Sequence, residues 1–242
     1  MIKVAVAGAT GRMGKLAVEL INAAQDMELH AALDSKSELS QMLGADVVFD
    51  VTLPEISPKV VEYAVANGLK VVVGTSGWSA TKLAVVEKQL SAAANSAGVF
   101  VIPNFSVGSM LATKFAAMAA TYFESIEIVE AHHAGKIDSP SGTAVRTAEL
   151  IAKAREGHPQ PLIPGVGQEA RGQVVAGVPV HSLRLAGVSA KQDVMFSGNS
   201  ELLTISHEAA SIRAYEQGIL LCIRKIQIHT GLAVGLESVL EG

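Results

Sequence analysis

From residue 2 to residue 102 the chain alternates short, wholly apolar runs with helical patterns, and a glycine-rich turn follows the first run at once. Apolar runs over 2–7, 29–33, 47–51, 69–73 and 99–102 read as strands. Helical patterns over 15–24, 58–67 and 81–97, the last stopped by Gly98, lie between them. Strands that are apolar at successive positions have no solvent face, so they belong to a parallel sheet covered by helices on both sides. This alternation excludes an all-helical or all-strand fold for the first hundred residues.

The pattern changes after Pro103. A helix rich in Ala and Met is expected over 107–122, a strand over 126–131 and a helix over 143–155. The Gly/Pro-rich stretch 157–177 reads as an ordered loop or flap. Strands over 180–185, 193–197 and 201–207 then follow one another with no helix between them, as in a mostly antiparallel sheet, and 209–225 returns to helix. The expected fold class is α/β: a Rossmann-like parallel-sheet domain plus an α+β domain with a mostly antiparallel sheet. The division expected is 1–104 with 214–242 for the first domain and 105–213 for the second, which would bind substrate and build the oligomer. No internal repeat or low-complexity tract interrupts either part.

Gly8-Ala9-Thr10-Gly11-Arg12-Met13-Gly14 follows the first strand and opens the first helix. The spacing G-x-x-G-x-x-G differs by one residue from the commonest dinucleotide fingerprint, but the physics is shared. Glycines let the backbone turn tightly and approach a pyrophosphate, which lies on the free N–H groups of the helix start. Asp34 closes the second strand, 20 residues after Gly14, where a carboxylate accepts hydrogen bonds from the adenosine ribose. The plain alternatives are an ordinary strand-to-helix turn and a turn-forming aspartate before Ser35-Lys36-Ser37. Two further loops sit at the carboxyl ends of expected parallel strands, where such sheets bind ligands. They are Gly74-Thr75-Ser76-Gly77-Trp78 and Pro103-Asn104-Phe105-Ser106. A nicotinamide cofactor, NADH or NADPH, is the ligand these features expect.

The densest chemistry is Glu130-Ala131-His132-His133-Ala134-Gly135-Lys136-Ile137-Asp138-Ser139-Pro140-Ser141-Gly142-Thr143. Ser141, Gly142 and Thr143 open a helix, whose N–H groups, hydroxyls and dipole suit a carboxylate. Lys136 adds a positive charge, and His132 is a proton donor near neutral pH. Neighbouring strand residues point to opposite faces, so His132 and His133 do not share one ion, and no cysteine or H-E-x-x-H pattern supports zinc. No metal is expected. The bland alternative is a solvated polar loop capped by Ser141.

Composition narrows the partners. A net charge of -4 without a long basic run argues against nucleic acid. A single cysteine, Cys222, fits a reducing compartment, and no run of 18 apolar residues supports a membrane span. The first residues lack the features of a signal peptide, so a cytoplasmic location is expected. The mean hydropathy of +0.36 fits buried sheet or surface lost to an oligomer.

Taken together, these motifs resemble the 4-hydroxy-tetrahydrodipicolinate (dihydrodipicolinate) reductase family. The residues that carry the resemblance are Val6 to Gly14, Val73 to Gly77, Pro103 to Ser106, Glu130 to Ala144, and His181-Ser182-Leu183-Arg184 with Gly187. The resemblance implies NAD(P)H-dependent reduction of a cyclic imine dicarboxylate in the diaminopimelate and lysine pathway. It implies that His132 is the acid/base and Lys136 a second proton donor. His133, Lys136, Ser141, Gly142 and Thr143 would hold substrate. Gly8, Ala9, Thr10, Gly11, Arg12, Met13, Asp34, Gly74, Thr75, Ser76, Ile102, Pro103, Asn104 and Phe105 would contact the cofactor. It further implies a cytoplasmic homotetramer built on the second sheet, with the last helix and tail packed on the nucleotide domain. Three departures stand out. Gly135 replaces a frequent histidine, Val51 a frequent phenylalanine, and Tyr215-Glu216-Gln217-Gly218 the usual Phe-Ala-x-Gly. Two rivals remain at this level: another small NAD(P)-dependent dehydrogenase and a non-enzymatic dinucleotide sensor. A short-chain reductase needs Tyr-x-x-x-Lys, but Tyr63, Tyr122 and Tyr215 are followed by Asn67, Ile126 and Ile219. A regulator needs a DNA-binding or partner module, and none is legible.

Overall fold

The computed structural model describes residues 1–93, 96–158, 161 and 168–241. The first apolar run forms β1 (Ile2–Ala7), buried from Val4 onward. The glycine turn leads into α1 (Arg12–Ala23), and then β2 (Met27–Leu33), β3 (Val47–Asp50), α2 (Ser57–Ala66), β4 (Lys70–Val73), α3 (Ala80–Ala93) and β5 (Gly98–Val101) follow. All these strands pair in parallel, β1 lying between β2 and β3, with β4 and β5 beyond β3. The strand order therefore reverses direction between β1 and β3, the place where open parallel sheets bind ligands. Val48, Val71, Val73 and Val99 pack against Val60, Val61, Ala64 and Val65 of α2, which is why these strands carry no polar alternation. Gly98 starts β5 instead of ending α3, contrary to expectation. A Cβ there would lie 2.5 Å from the His229 carbonyl oxygen, so glycine marks a close backbone approach. Residues 94 and 95 lie outside the described residues.

The second stretch runs α4 (Val107–Ala119), β6 (Ser125–His133), α5 (Gly142–Ala154), β7 (Gln173–Val175), β8 (Val178–Leu185), β9 (Ala190–Gly198) and β10 (Glu201–Ala209). Its sheet has the order β10-β9-β6-β8-β7. Three pairings are antiparallel and one, β6 with β8, is parallel. The expected loop over 157–177 is corrected in its last third by β7. Ala176 and Gly177 both adopt positive φ, the two-residue hairpin geometry that pairs β7 with β8. The rest of that loop at 159–160 and 162–167 lies outside the described residues. Ile126, Ile128, Val180, Val194 and Phe196 pack with Ala116 of α4, Ala120 just after it, and Ala144, Ala148 and Ile151 of α5.

The chain then returns to the first sheet. The helix expected over 209–225 is shorter, because Ala209 still pairs with Ala190 in the sheet. A 3-10 turn at Ile212–Tyr215 precedes α6 (Glu216–Lys225), β11 (Gly231–Val234) and α7 (Leu236–Glu241). β11 pairs in parallel with β5 and completes a six-stranded sheet, β11-β5-β4-β3-β1-β2. Arg213 bonds Glu19 at 2.7 Å and Arg224 bonds Asp26 at 2.7 Å, so α6 and the turn before it are tied to α1 and the turn after it. Two compact units result, residues 1–107 with 212–242, and residues 108–211. The first unit reaches past the expected limit at 104 because Phe105 packs into it. The Phe105 ring lies 5.6 Å from that of Phe49, and its carbonyl would meet a Cβ on Gly218 at 1.9 Å. No described helix is long and apolar enough to cross a membrane.

Candidate active site

At the carboxyl end of β1 the glycine loop has the geometry a dinucleotide needs. Gly8 adopts φ +86°, and a Cβ on it would lie 2.6 Å from the Val51 carbonyl oxygen. A Cβ on Gly14 would lie 2.1 Å from the Gly8 carbonyl oxygen. Both positions are therefore closed to any side chain. Gly8 and Ala9 donate to the Leu33 carbonyl and Gly11 to that of Gly8. The amides of Thr10, Arg12 and Met13 have no protein partner among the described residues, and Gly11 caps α1 without a side-chain bond. Those N–H groups and the helix dipole form an anion site. The residues present fit a bound dinucleotide.

Asp34 is exposed at the end of β2. Its Oδ1 accepts from the Lys36 amide and the Ser37 hydroxyl, both at 2.9 Å, which hold the carboxyl below its ordinary value. Oδ2 accepts no hydrogen bond among the described residues and remains for a ribose hydroxyl. Asp50, which sequence analysis left without a role, is wholly buried at the end of β3. It accepts from the Thr52 amide at 3.0 Å, the Thr52 hydroxyl at 2.6 Å and the Ser57 hydroxyl, and so shapes the Val51–Thr52 backbone against which Gly8 packs. Burial pushes its carboxyl up. Thr75 is buried and turned toward Asp50, whereas Ser76 is exposed. The side chains of Ile102 and Phe105 are also buried, so these two contribute by position and not as open contacts. A Cβ on Gly74 would meet the Phe105 ring at 2.7 Å. Pro103 is exposed, and half-buried Asn104 holds the Ser106 amide at 2.9 Å.

In the second unit, β6 carries Glu130 and His132 on one face, two residues apart. The Glu130 side chain is 0% exposed, and its Oε2 lies 2.5 Å from Nδ1 of His132, which is 17% exposed. A carboxylate acceptor makes Nδ1 the N–H, so Nε2 is the nitrogen left for proton transfer. Arg184, opposite His132 on β8, donates to both Glu130 oxygens at 3.1 Å. It also donates to the carbonyls of Lys136 at 3.3 Å and Asp138 at 2.6 Å. Burial pushes the Glu130 carboxyl up, but the Arg184 guanidinium, the neighbouring Ser182 hydroxyl and His132 outweigh this and hold it below its ordinary value. Lys136 is held bidentately by the exposed Asp138 carboxylate, at 2.7 and 2.8 Å. Ser141 uses its hydroxyl to cap α5, accepting from Ala144 N at 3.2 Å, and its amide donates to Glu130. It is a cap more than an open contact. The amides offered at the helix start are those of Gly142 and Thr143. His133 is exposed on the opposite face, beside Gly135. Among the described residues no cluster of three metal-ligating side chains occurs.

The structure thus gathers Glu130, His132, Lys136, Ser141 and Arg184 into one hydrogen-bonded group. Glu130 and Arg184 are the residues to which sequence analysis gave no role. The signal for Glu130 was the two-residue spacing to His132. Arg184 lies 54 residues from Glu130; it stands in the His181–Arg184 segment that carries the resemblance, but nothing in its spacing pointed to Glu130.

Two family profiles match most of the chain: dihydrodipicolinate reductase, N-terminus, at residues 2–105, and dihydrodipicolinate reductase, C-terminus, at residues 108–240. The chain belongs to the dihydrodipicolinate reductase family. Among its relatives is the 4-hydroxy-tetrahydrodipicolinate reductase of Clavibacter michiganensis subsp. michiganensis, 57% identical over 98% of this chain and 86% of that protein. That of Mycolicibacterium gilvum is 42% identical over 99% of both chains. A solved structure described as dipicolinate-bound dihydrodipicolinate reductase from Paenisporosarcina sp. TG-14 superposes with a TM-score of 0.85 at 32% identity, covering 98% of this chain and 99% of that one. As a dihydrodipicolinate reductase by family, the protein is an NAD(P)H-dependent oxidoreductase of lysine and diaminopimelate biosynthesis. The reductase profiles change over between residues 105 and 108, where the two compact units also divide.

Proposed function

We propose that this protein reduces 4-hydroxy-tetrahydrodipicolinate, by way of dihydrodipicolinate, to tetrahydrodipicolinate, with His132 as the acid/base. The observation that carries the residue assignment is the Glu130–His132 contact of 2.5 Å, which fixes the imidazole and frees Nε2. The Gly8–Met13 loop, Asp34, Gly74–Ser76 and Ile102–Phe105 hold the dinucleotide, and reduced nicotinamide supplies the hydride to ring carbon 4 when bound. Lys136 and the amides of Gly142 and Thr143 anchor a substrate carboxylate, a cation and a helix start serving one anion, whereas His133, on the other face of β6, is not gathered with them. His132 begins as imidazolium, delivers the Nε2 proton to the reduced enamine and ends neutral, keeping Nδ1–H on Glu130. Lys136 is a second proton donor. The similar structure described as dipicolinate-bound supports a ring dicarboxylate as the ligand class.

A cytoplasmic homotetramer is the assembly we favour, built on the outer face of the second sheet. Leu202 and Leu183 lie on that face, 67% and 44% exposed, alongside Met195 and Val129. The test of activity is a coupled assay with freshly generated substrate, following NADH or NADPH consumption. Turnover that depends on the cyclic imine supports the proposal. Cofactor binding without turnover would leave a dinucleotide sensor instead.

A further inference from the structure

Glu130 is a fully buried carboxylate with more donors than a single ion pair requires. Its Oε1 takes two Arg184 nitrogens at 3.1 Å and the Ser141 amide at 3.3 Å, while Oε2 takes Arg184 at 3.1 Å and His132 at 2.5 Å. The shortest contact of the set goes to the histidine. The same guanidinium reaches the backbone carbonyls of Lys136 and Asp138, so one cation touches the supports of both candidate proton donors. We infer that Glu130 and Arg184 act as a positioning pair, Glu130 holding His132 in the Nδ1–H tautomer and Arg184 fixing Glu130 while pinning the Lys136 segment. This rests on the reading of His132 as the acid/base.

The surrounding groups leave Glu130 as the anion facing His132. From β8 come Arg184 and Ser182, the latter opposite Glu130 in register, and from the loop after β6 comes Lys136, already paired with Asp138. On β9, Gln192 stands opposite Glu130 in register, with His207 of β10 beyond it, and Lys191 is paired with Asp193 at 3.0 Å. From α5 come the Ser141 amide and, at Gln192, the Thr147 hydroxyl. A carboxylate beside an imidazole favours its protonated form, and its hydrogen bond selects the tautomer. Removing it should affect the chemical step and not the binding of either ligand.

The experiment compares Glu130→Gln, Glu130→Asp, Arg184→Met and His132→Gln in the full-length enzyme. It measures kcat, KM and cofactor Kd, the pH dependence of kcat/KM, and the histidine tautomer by nitrogen NMR. Glu130→Gln should lower kcat by about 10- to 100-fold, the range typical of lost outer-shell support, with KM and cofactor Kd changed by less than about threefold. The basic limb of its kcat/KM profile should move to lower pH, and Glu130→Asp should restore part of kcat. Arg184→Met should lower kcat and raise substrate KM, because the Lys136 segment is released too. Unchanged kcat and an unmoved pH profile in Glu130→Gln, with His132→Gln still inactive, would overturn the positioning pair and leave the acid/base assignment standing. Near-normal kcat in His132→Gln would overturn that assignment and the pair with it. Should Glu130→Gln fail to fold, the unsubstituted enzyme decides. A neutral His132 carrying its proton on Nδ1 supports the pair, and one carrying it on Nε2 overturns it.

Discussion

His132 and Lys136 are four residues apart but are held in different ways. The histidine is locked by a buried carboxylate, whereas the lysine is held by an exposed aspartate at 2.7 Å, a pair that a stronger ligand anion can replace. Their variants should therefore differ. His132→Gln is expected to lower kcat by roughly 10²–10⁴ with less change in KM. Lys136→Ala should damage kcat and KM together, and Thr143→Ala should act mainly through KM. None should alter the affinity for reduced cofactor, measured by fluorescence or calorimetry. If His132→Gln kept near-normal kcat, Lys136 would become the leading donor. The Glu130 network also sets a pH dependence of stability. Its carboxyl is held below the ordinary value of 4.5, so its contribution is complete above that pH and disappears as pH falls through the lower folded value. The melting temperature of Glu130→Gln should accordingly fall short of the parent's near neutrality and converge with it as pH falls from 4.5 through the lower folded value. A constant gap down to acid pH, read by calorimetry, would contradict this.

Among the elements, α1 and α6 show most clearly how backbone proximity dictates sequence. α6 passes so close to the Phe105 carbonyl that a Cβ on Gly218 would sit 1.9 Å from its oxygen. Gly218→Ala should therefore cost about 1–3 kcal/mol, or abolish folding if α6 cannot shift, as measured by denaturant unfolding. At the end of β2, Asp34 offers one free carboxylate oxygen to a ribose and repels a 2′-phosphate, while Lys36, two residues on, and Arg12, at the start of α1, are exposed cations. Use of both cofactors is expected, with NADH at least comparable to NADPH in kcat/KM. A preference for NADPH above about a hundredfold, on the order of 2.7 kcal/mol, would contradict this role for Asp34.

For the whole molecule, the assembly depends on which side of the second sheet is left uncovered. By strand pattern alone, Val194, Phe196, Leu202, Leu203 and Ile205 of β9 and β10 are all apolar residues that a partner subunit could cover. Val194 and Phe196 instead lie in the core with α4 and α5, Ile205 packs against that core, and Leu203 shares their face. Leu202 alone of the five points to the outer face, because strand neighbours alternate sides. That face also holds the Arg171–Glu127–His181 ion cluster, with contacts of 2.7 and 2.8 Å. Light scattering at micromolar concentration should show a tetramer. Leu202→Glu, which sets a charge on this face, should shift the population toward smaller species without loss of the fold. A monomer in the unsubstituted protein would overturn the assembly proposed here.

Sequence alone determined what is local. The strands of the first sheet are legible because doubly buried strands are continuously apolar, and the glycine loop because Gly8 and Gly14 stand where no Cβ fits. The histidine–lysine segment is legible because its polar residues crowd before a helix start. Tertiary structure decided what joins distant segments. β11 is a four-residue strand with no periodic signal, and it exists because Gly231 to Val234 pair with β5. β7 is three residues long and depends on its hairpin with β8. The face of the second sheet that α4 and α5 cover cannot be read from alternation, which is the same from either side. The pairing of Arg184 with Glu130 spans 54 residues and follows from the parallel register of β8 on β6. Spacing along a chain reports periodicity and turns, whereas a buried ion pair depends on strand order, and strand order is settled only when the sheet assembles.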